Sequence, residues 1–135
     1  MNEINAVIKA IHTEGNISVV IAQGAGIAFH SMVIDTPETA SYLHEGKPVV
    51  VVFKESAVSI AKHISGLLSI RNRISCTILS VEKGDVLTTA KLDCKGHVFE
   101  SLITTYAAEE LDLKAGDSVE ALIKTTDISL HQSKS

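Results

Sequence analysis

The chain has no tryptophan, 4% aromatic residues, two cysteines and two prolines among its 135 residues. So few aromatic side chains leave it without the stacking platforms on which single-stranded nucleic acid is held. Two cysteines cannot build a disulfide scaffold. Positive charge is also short: 12 Lys and Arg against 16 Asp and Glu give a formal net charge of −4. That argues against the basic face a duplex-DNA binder presents, so no direct nucleic-acid partner is expected. The longest unbroken apolar run, Val49 to Phe53, is far too short to cross a bilayer, and no membrane association is expected. Met1 is followed by Asn2 and Glu3, with no basic stretch and no apolar signal core, so the expected location is cytoplasmic. The histidines, at 12, 30, 44, 63, 97 and 131, are scattered without zinc-ligand spacing, and no direct cation site is expected. Gly24-Ala25-Gly26 lacks the lysine and helix of a phosphate loop. No Ser, His and Asp arrangement supports nucleophilic catalysis, so the chain does not read as an enzyme. What is there is a globular composition, 45% hydrophobic and 21% charged. It is enough for one ordinary domain or two very small ones.

The chain repeats itself. Displaced by 70 positions it matches without a gap: Asn2 falls on Asn72, Ile8 on Ile78, Gly26 on Gly96, Phe29 on Phe99, Ser31 on Ser101, Leu43 on Leu113, Gly46 on Gly116 and Lys54 on Lys124. Chance agreement between two β-rich halves would match valines, not these glycines, phenylalanines and lysines. A duplicated unit of roughly 65 residues follows, with a first repeat over 1–64 and a second over 65–135.

Each unit reads as mostly strand. In the second, Ile74 to Glu82, Val86 to Leu92, Val98 to Thr104, Val119 to Ile123 and Ile128 to Leu130 are five strands. Turn signals at Lys83-Gly84-Asp85 and Asp93-Cys94-Lys95-Gly96 separate the first three. Ala107 to Leu111 holds helix formers without β-branching and predicts one or two helical turns, closed at Gly116 in the left-handed region. The first unit follows the same plan, with Pro37-Glu38-Thr39 opening its helix. The fold class expected is mostly β: two tandem OB-like five-stranded barrels, each with a short helix. Cys76 and Cys94 lie almost symmetrically about the turn at Gly84-Asp85 and are candidate cross-strand neighbours; in a reducing cytoplasm they are expected as free thiols. A unit of about 65 residues buries little surface and leaves strand edges to cover, so a homo-oligomer is expected, a trimer first and a dimer as the alternative.

Ser69-Ile70-Arg71-Asn72 resembles the Ser-Ala-Arg-Asn signature that opens molbindin repeats, members of the wider TOBE class of oxyanion-binding domains. Leu111 to Asp117 and Ala121 to Ile128 resemble that family's helix exit and its Lys-Ala-Ser strand end, and Val52 to Val58 carries a weaker version. The resemblance covers nearly the whole chain, strongly over 69–131 and more loosely over 2–62. It implies a cytoplasmic protein of two repeats that binds molybdate or tungstate at sites between subunits, for storage or homeostasis. An oxyanion-sensing module acting on a partner protein is the alternative, and a structural TOBE-like domain without ligand a third reading. The first repeat is expected to lack the Ser-x-Arg opening, which would precede Asn2.

The residue types fit that chemistry. A tetrahedral dianion needs several converging donors and enough positive charge to offset its desolvation. Arg71 offers a charged fork, Lys124 and Lys54 point charges, and Ser69, Thr125, Ser56 and Thr104 hydroxyls. Asn72 completes the candidate set, although tying a turn to backbone groups explains it as well. Arg71 and Lys124 taken alone read equally as solvated charges at strand ends. The family context assigns them to the ligand.

Overall fold

The alternation of apolar and polar residues becomes ten strands among residues 1–133, which the computed structural model describes. The first half holds β1 (Asn2–Glu14), β2 (Ile17–Gly24), β3 (Ile27–Val33), β4 (Pro48–Phe53) and β5 (Ser59–Ala61). The second holds β6 (Asn72–Lys83), β7 (Leu87–Cys94), β8 (His97–Thr104), β9 (Ser118–Ile123) and β10 (Ser129–Gln132). In β1, Ile4, Ala6 and Ile8 are buried while Glu3, Asn5 and Val7 are exposed, and Ile74, Cys76 and Ile78 repeat that pattern in β6. The register slips once in each long strand, between Ile8 and Ala10 and between Ile78 and Ser80. These bulges fall at corresponding places in the two repeats and let both strands bend around the core.

The strands form two antiparallel sheets, ordered β10-β4-β1-β2-β3 and β5-β9-β6-β7-β8. Sequence patterning assigned each unit a fifth strand of its own, but the structure exchanges them. Ser129 of β10 sits opposite Val52 of β4, and Ser59 of β5 opposite Leu122 of β9. Within its own half β4 pairs only with β1, and β9 only with β6. Each therefore leaves an open edge that the other half's fifth strand covers. Single 3-10 turns, Glu55–Ala57 and Thr125–Asp127, carry the chain across.

Buried polar groups fasten this crossing. The Asn72 amide donates to the carbonyls of His30 (2.9 Å) and Ile123 (3.0 Å) and accepts from the His30 N–H (2.7 Å). Asn2 does the same to Glu100, donating to its carbonyl and accepting from its N–H. The Ser31 hydroxyl donates to the Ile128 carbonyl and the Ser101 hydroxyl to that of Val58, both at 2.6 Å. Beneath them one continuous apolar core spans both halves. At its centre Phe29, Phe53 and Phe99 meet, with ring centroids between 5.1 Å and 6.4 Å apart. Both Phe99 contacts are edge-to-face, the arrangement that aromatic quadrupoles favour.

Three local features differ from the sequence reading. The helix of the second half, α1 (Thr105–Glu110), closes on Asp112, while Gly116 is left-handed as expected (φ 94) but lies in the loop beyond. Asp112 takes the left-handed conformation (φ 48), with Asp112 N–H bonded to Glu109 and Leu113 N–H to Ala108, a Schellman closure. Lys62, arriving on the exchanged β5, donates to the exposed carbonyls of Leu111 and Asp112 at 3.0 Å and reinforces that end. The first half forms only turns where Pro37-Glu38-Thr39 was expected to open a helix. Thr39 and Thr36 are bonded to each other there, Thr36 N–H to Thr39 Oγ1 at 2.8 Å and Thr39 Oγ1 to Thr36 O at 3.2 Å. These local bonds compete with a helical ladder. Finally, Cys76 and Cys94 form a disulfide instead of two free thiols. β7 runs on through Cys94, and the register places it across from Cys76 with Cα atoms 4.5 Å apart, the spacing of a non-hydrogen-bonded pair. In a reducing compartment the same register holds two adjacent thiols. The first half has Ala6 and Gly24 at these places, and a Cβ on Gly24 would lie 2.3 Å from the Asn5 carbonyl oxygen.

Asn72→Ala would strand one N–H and two carbonyls in the seam, and we expect a loss of about 3 kcal/mol in unfolding free energy, read by urea denaturation. Reduction of the Cys76–Cys94 bond, which spans 18 residues, should cost about 3 kcal/mol through loop closure in the unfolded chain. Thermal denaturation with and without a reductant checks this, and equal midpoints would contradict it.

Candidate functional site

β6 starts where β9 ends. Asn72 pairs with Ile123, so Arg71 and Lys124 each stand one step beyond that pair, at the same end of the same sheet. Antiparallel register alone brings them together within one chain. Lys124 leads into the 3-10 turn and is exposed, with its carbonyl accepting from Asp127 N–H at 2.9 Å. Thr125 is half-buried in that turn, and Ser69, just before β6, is exposed. Arg71 is exposed too, and its guanidinium donates to the Leu68 carbonyl.

Lys54 and Ser56 occupy the matching end of the other sheet, both exposed. The exchange of fifth strands sets Lys54 in a cleft with Met1, Thr126, Asp127 and His131. Asp127 brings a carboxylate to it. Glu55 pairs with the Met1 ammonium, and that bond holds the Glu55 carboxyl below its usual range.

Two residues of the sequence-derived set are placed elsewhere. Asn72 is buried and spends its oxygen and both N–H groups on backbone, so it is a strut under Arg71 with nothing left to offer a ligand. Thr104 caps α1 by accepting from Ala107 N–H at 3.1 Å, and it pairs with Leu87 at the end of the sheet away from Arg71.

Other basic groups were passed over. Arg71 lines a cleft shared with His30, Arg73 and Lys95. They arrive from three separate segments, so no spacing in the sequence marks them. Arg73 is held by a two-pronged bond to Glu120, Nε to Oε2 and NH2 to Oε1, each 2.9 Å. This fork raises the Arg73 pKa and holds the Glu120 carboxyl below its usual range. Among the described residues no group of three or more His, Cys, Asp and Glu side chains is placed to hold a metal ion, and no helix is long and apolar enough to cross a membrane.

Residues 68–130 match the TOBE domain family. The fold overlays a structure of the cytoplasmic molybdate-binding protein ModG with molybdate bound, over 98% of this chain and 96% of that one, at a TM-score of 0.91 and 29% identity. The second half of the chain is thus similar to TOBE domains, and the whole chain shares its fold with ModG. A molybdate-binding protein from Sporomusa ovata is 34% identical over 47% of this chain and 96% of its own, at a TM-score of 0.46. The molybdenum import ATP-binding protein ModC of Brucella abortus (strain 2308) is 33% identical over 72 residues, 53% of this chain and 20% of ModC. The chain thus spans about a fifth of the length of the curated relatives it matches.

The stability carried by the Arg73–Glu120 pair is present above the unfolded carboxyl pKa and is lost as pH falls through the lower folded value. Glu120→Gln should therefore lower stability slightly at neutral pH, as solvent-screened pairs do. The gap from the parent should close in acid, measured by denaturant unfolding at both pH values.

Proposed function

We propose that this chain is a molbindin that binds molybdate or tungstate reversibly in the cytoplasm, for storage or buffering, and performs no catalysis. The observation that carries the reading is the likeness to molybdate-bound ModG over both repeats at once. The residue chemistry supports it: Arg71 and Lys124 converge on one sheet end, Ser69 and Thr125 add hydroxyls there, and Lys54 with Ser56 stands at the equivalent end. No nucleophile and base are paired among them. In this reading the repeats divide near residue 64, each lending its last strand to the other.

The clefts at these ends are open to solvent, and an oxyanion is held tightly only where water is displaced. A second copy of the chain closing over the Arg71 end supplies that, so the working form is a homo-oligomer, a trimer before a dimer, with ligand between subunits. Ligand then stabilises the assembly by mass action.

Calorimetric titration should show heat with molybdate and tungstate and little with sulfate, whose smaller radius leaves the donors out of reach. Arg71→Ala should weaken molybdate binding by about 2–5 kcal/mol, the cost of truncating one partner of an interfacial charge pair. Absence of heat with either ligand overturns the reading. A 14.4 kDa particle by light scattering at micromolar concentration removes the assembly.

A further inference from the structure

Duplication gives this fold two corresponding places, one of them a cleft, and their charges are opposite. The cleft, of about 390 Å³, is walled by residues 26–30 of β3 and its turn, by 71–75 at the start of β6, and by Lys95. His30, Arg71, Arg73 and Lys95 line it, and no carboxylate does. Arg73 is already answered by Glu120. Arg71 and Lys95 are bonded only to carbonyls, of Leu68 and of Gly26 (3.1 Å), so their charge faces the cleft unopposed by an acid. Lys95 and Gly96 both take left-handed φ values, 55 and 92. They form the tight hairpin turn that brings this lysine against the other half's hairpin at Gly26.

At the corresponding place in the first repeat the scaffold is the same and the charges are not. Asn2 bonds Glu100 as Asn72 bonds His30, backbone N–H and carbonyl alike. Yet Arg73 is replaced by Glu3, His30 by Glu100 and Lys95 by Ala25. The Met1 ammonium registers the result: its pKa is raised first by Glu55, then by the fields of Glu100 and Glu3.

We infer that the cleft at Arg71 is an oxyanion subsite walled by both halves of a single chain, in which Lys95 is a second cationic ligand beside Arg71 and His30 lines the facing strand, and that its counterpart at Glu3 and Glu100 takes no oxyanion. This rests on the molybdate-binding reading and deepens it. A dianion set between Arg71 and Lys95 meets two charges with free donors, and the strands bearing them are fixed to each other by the buried Asn72 amide. At the counterpart the same anion meets two carboxylates, and the attraction becomes repulsion of similar size.

Molybdate titration of Lys95→Ala, which installs the counterpart's own residue, should show affinity reduced about tenfold, as for one lost charge-assisted hydrogen bond. Lys91→Ala removes the same charge from an exposed position on β7, outside the cleft. It should bind within about threefold of the parent, as a distant screened charge does. Lys95→Arg should restore binding. If Lys95→Ala binds like Lys91→Ala while Arg71→Ala is impaired, the Lys95 assignment is wrong and the function reading stands; if the parent itself binds no molybdate, both fall. Tungstate, located in crystals by its anomalous scattering, should appear beside Arg71 and Lys95. A tungstate against Glu3 and Glu100 would overturn the asymmetry.

Discussion

Two buried asparagines set the terms for everything else in this chain. Asn2 and Asn72 open the two long strands, and each reaches across to bond the third strand of the opposite half. A buried amide has to be satisfied, and here the other half supplies both an N–H and a carbonyl to each. The exchanged strands obey the same constraint at their edges, and Ser31 and Ser101 clamp the crossing segments from below. The halves are consequently one body, with the three phenylalanines closing the shared core. The candidate site inherits its geometry from this seam, because Arg71 and Lys124 flank the Asn72–Ile123 pair directly.

Much of this was legible in advance. Alternation in β1 and β6, the turn signals and the self-match of the two halves yield most strands closely and the duplication outright. Period-two patterning says which face of a strand is buried but not which strand lies beside it, so the exchange of β5 and β10 was invisible. Asp112 in place of Gly116, and turns in place of a first helix, were decided by hydrogen bonds of particular groups. The site divides the same way. Ser69, Arg71, Lys124 and Thr125 carry family motifs and could be read. Thr104 could not be seen to be a helix cap, and His30 and Lys95 become neighbours of Arg71 only after folding.

The duplication has been held constant where the scaffold needs it and released elsewhere. Buried Asn, Ser and Phe recur at matching places, while the residues beside them, Arg73 and His30 against Glu3 and Glu100, differ in charge. The pair Cys76 and Cys94 against Ala6 and Gly24 shows two solutions to one close approach of strands: a covalent link in one half, and no side chain at all on one strand of the other.

The crossing strands also dictate an order of events during synthesis. β5 has to wait for β9, because Ser59 pairs with Leu122, and β4 has to wait for β10, because Val52 pairs with Ser129. The first sheet cannot be finished until β10 has been made, and the second not until β9 has. Contacts this distant in sequence form slowly. Until they do, the edge of β4 stands open with Val50 and Val52 along it. The nascent first half is thus an aggregation-prone intermediate by construction, completed only when the last residues of β10 leave the ribosome.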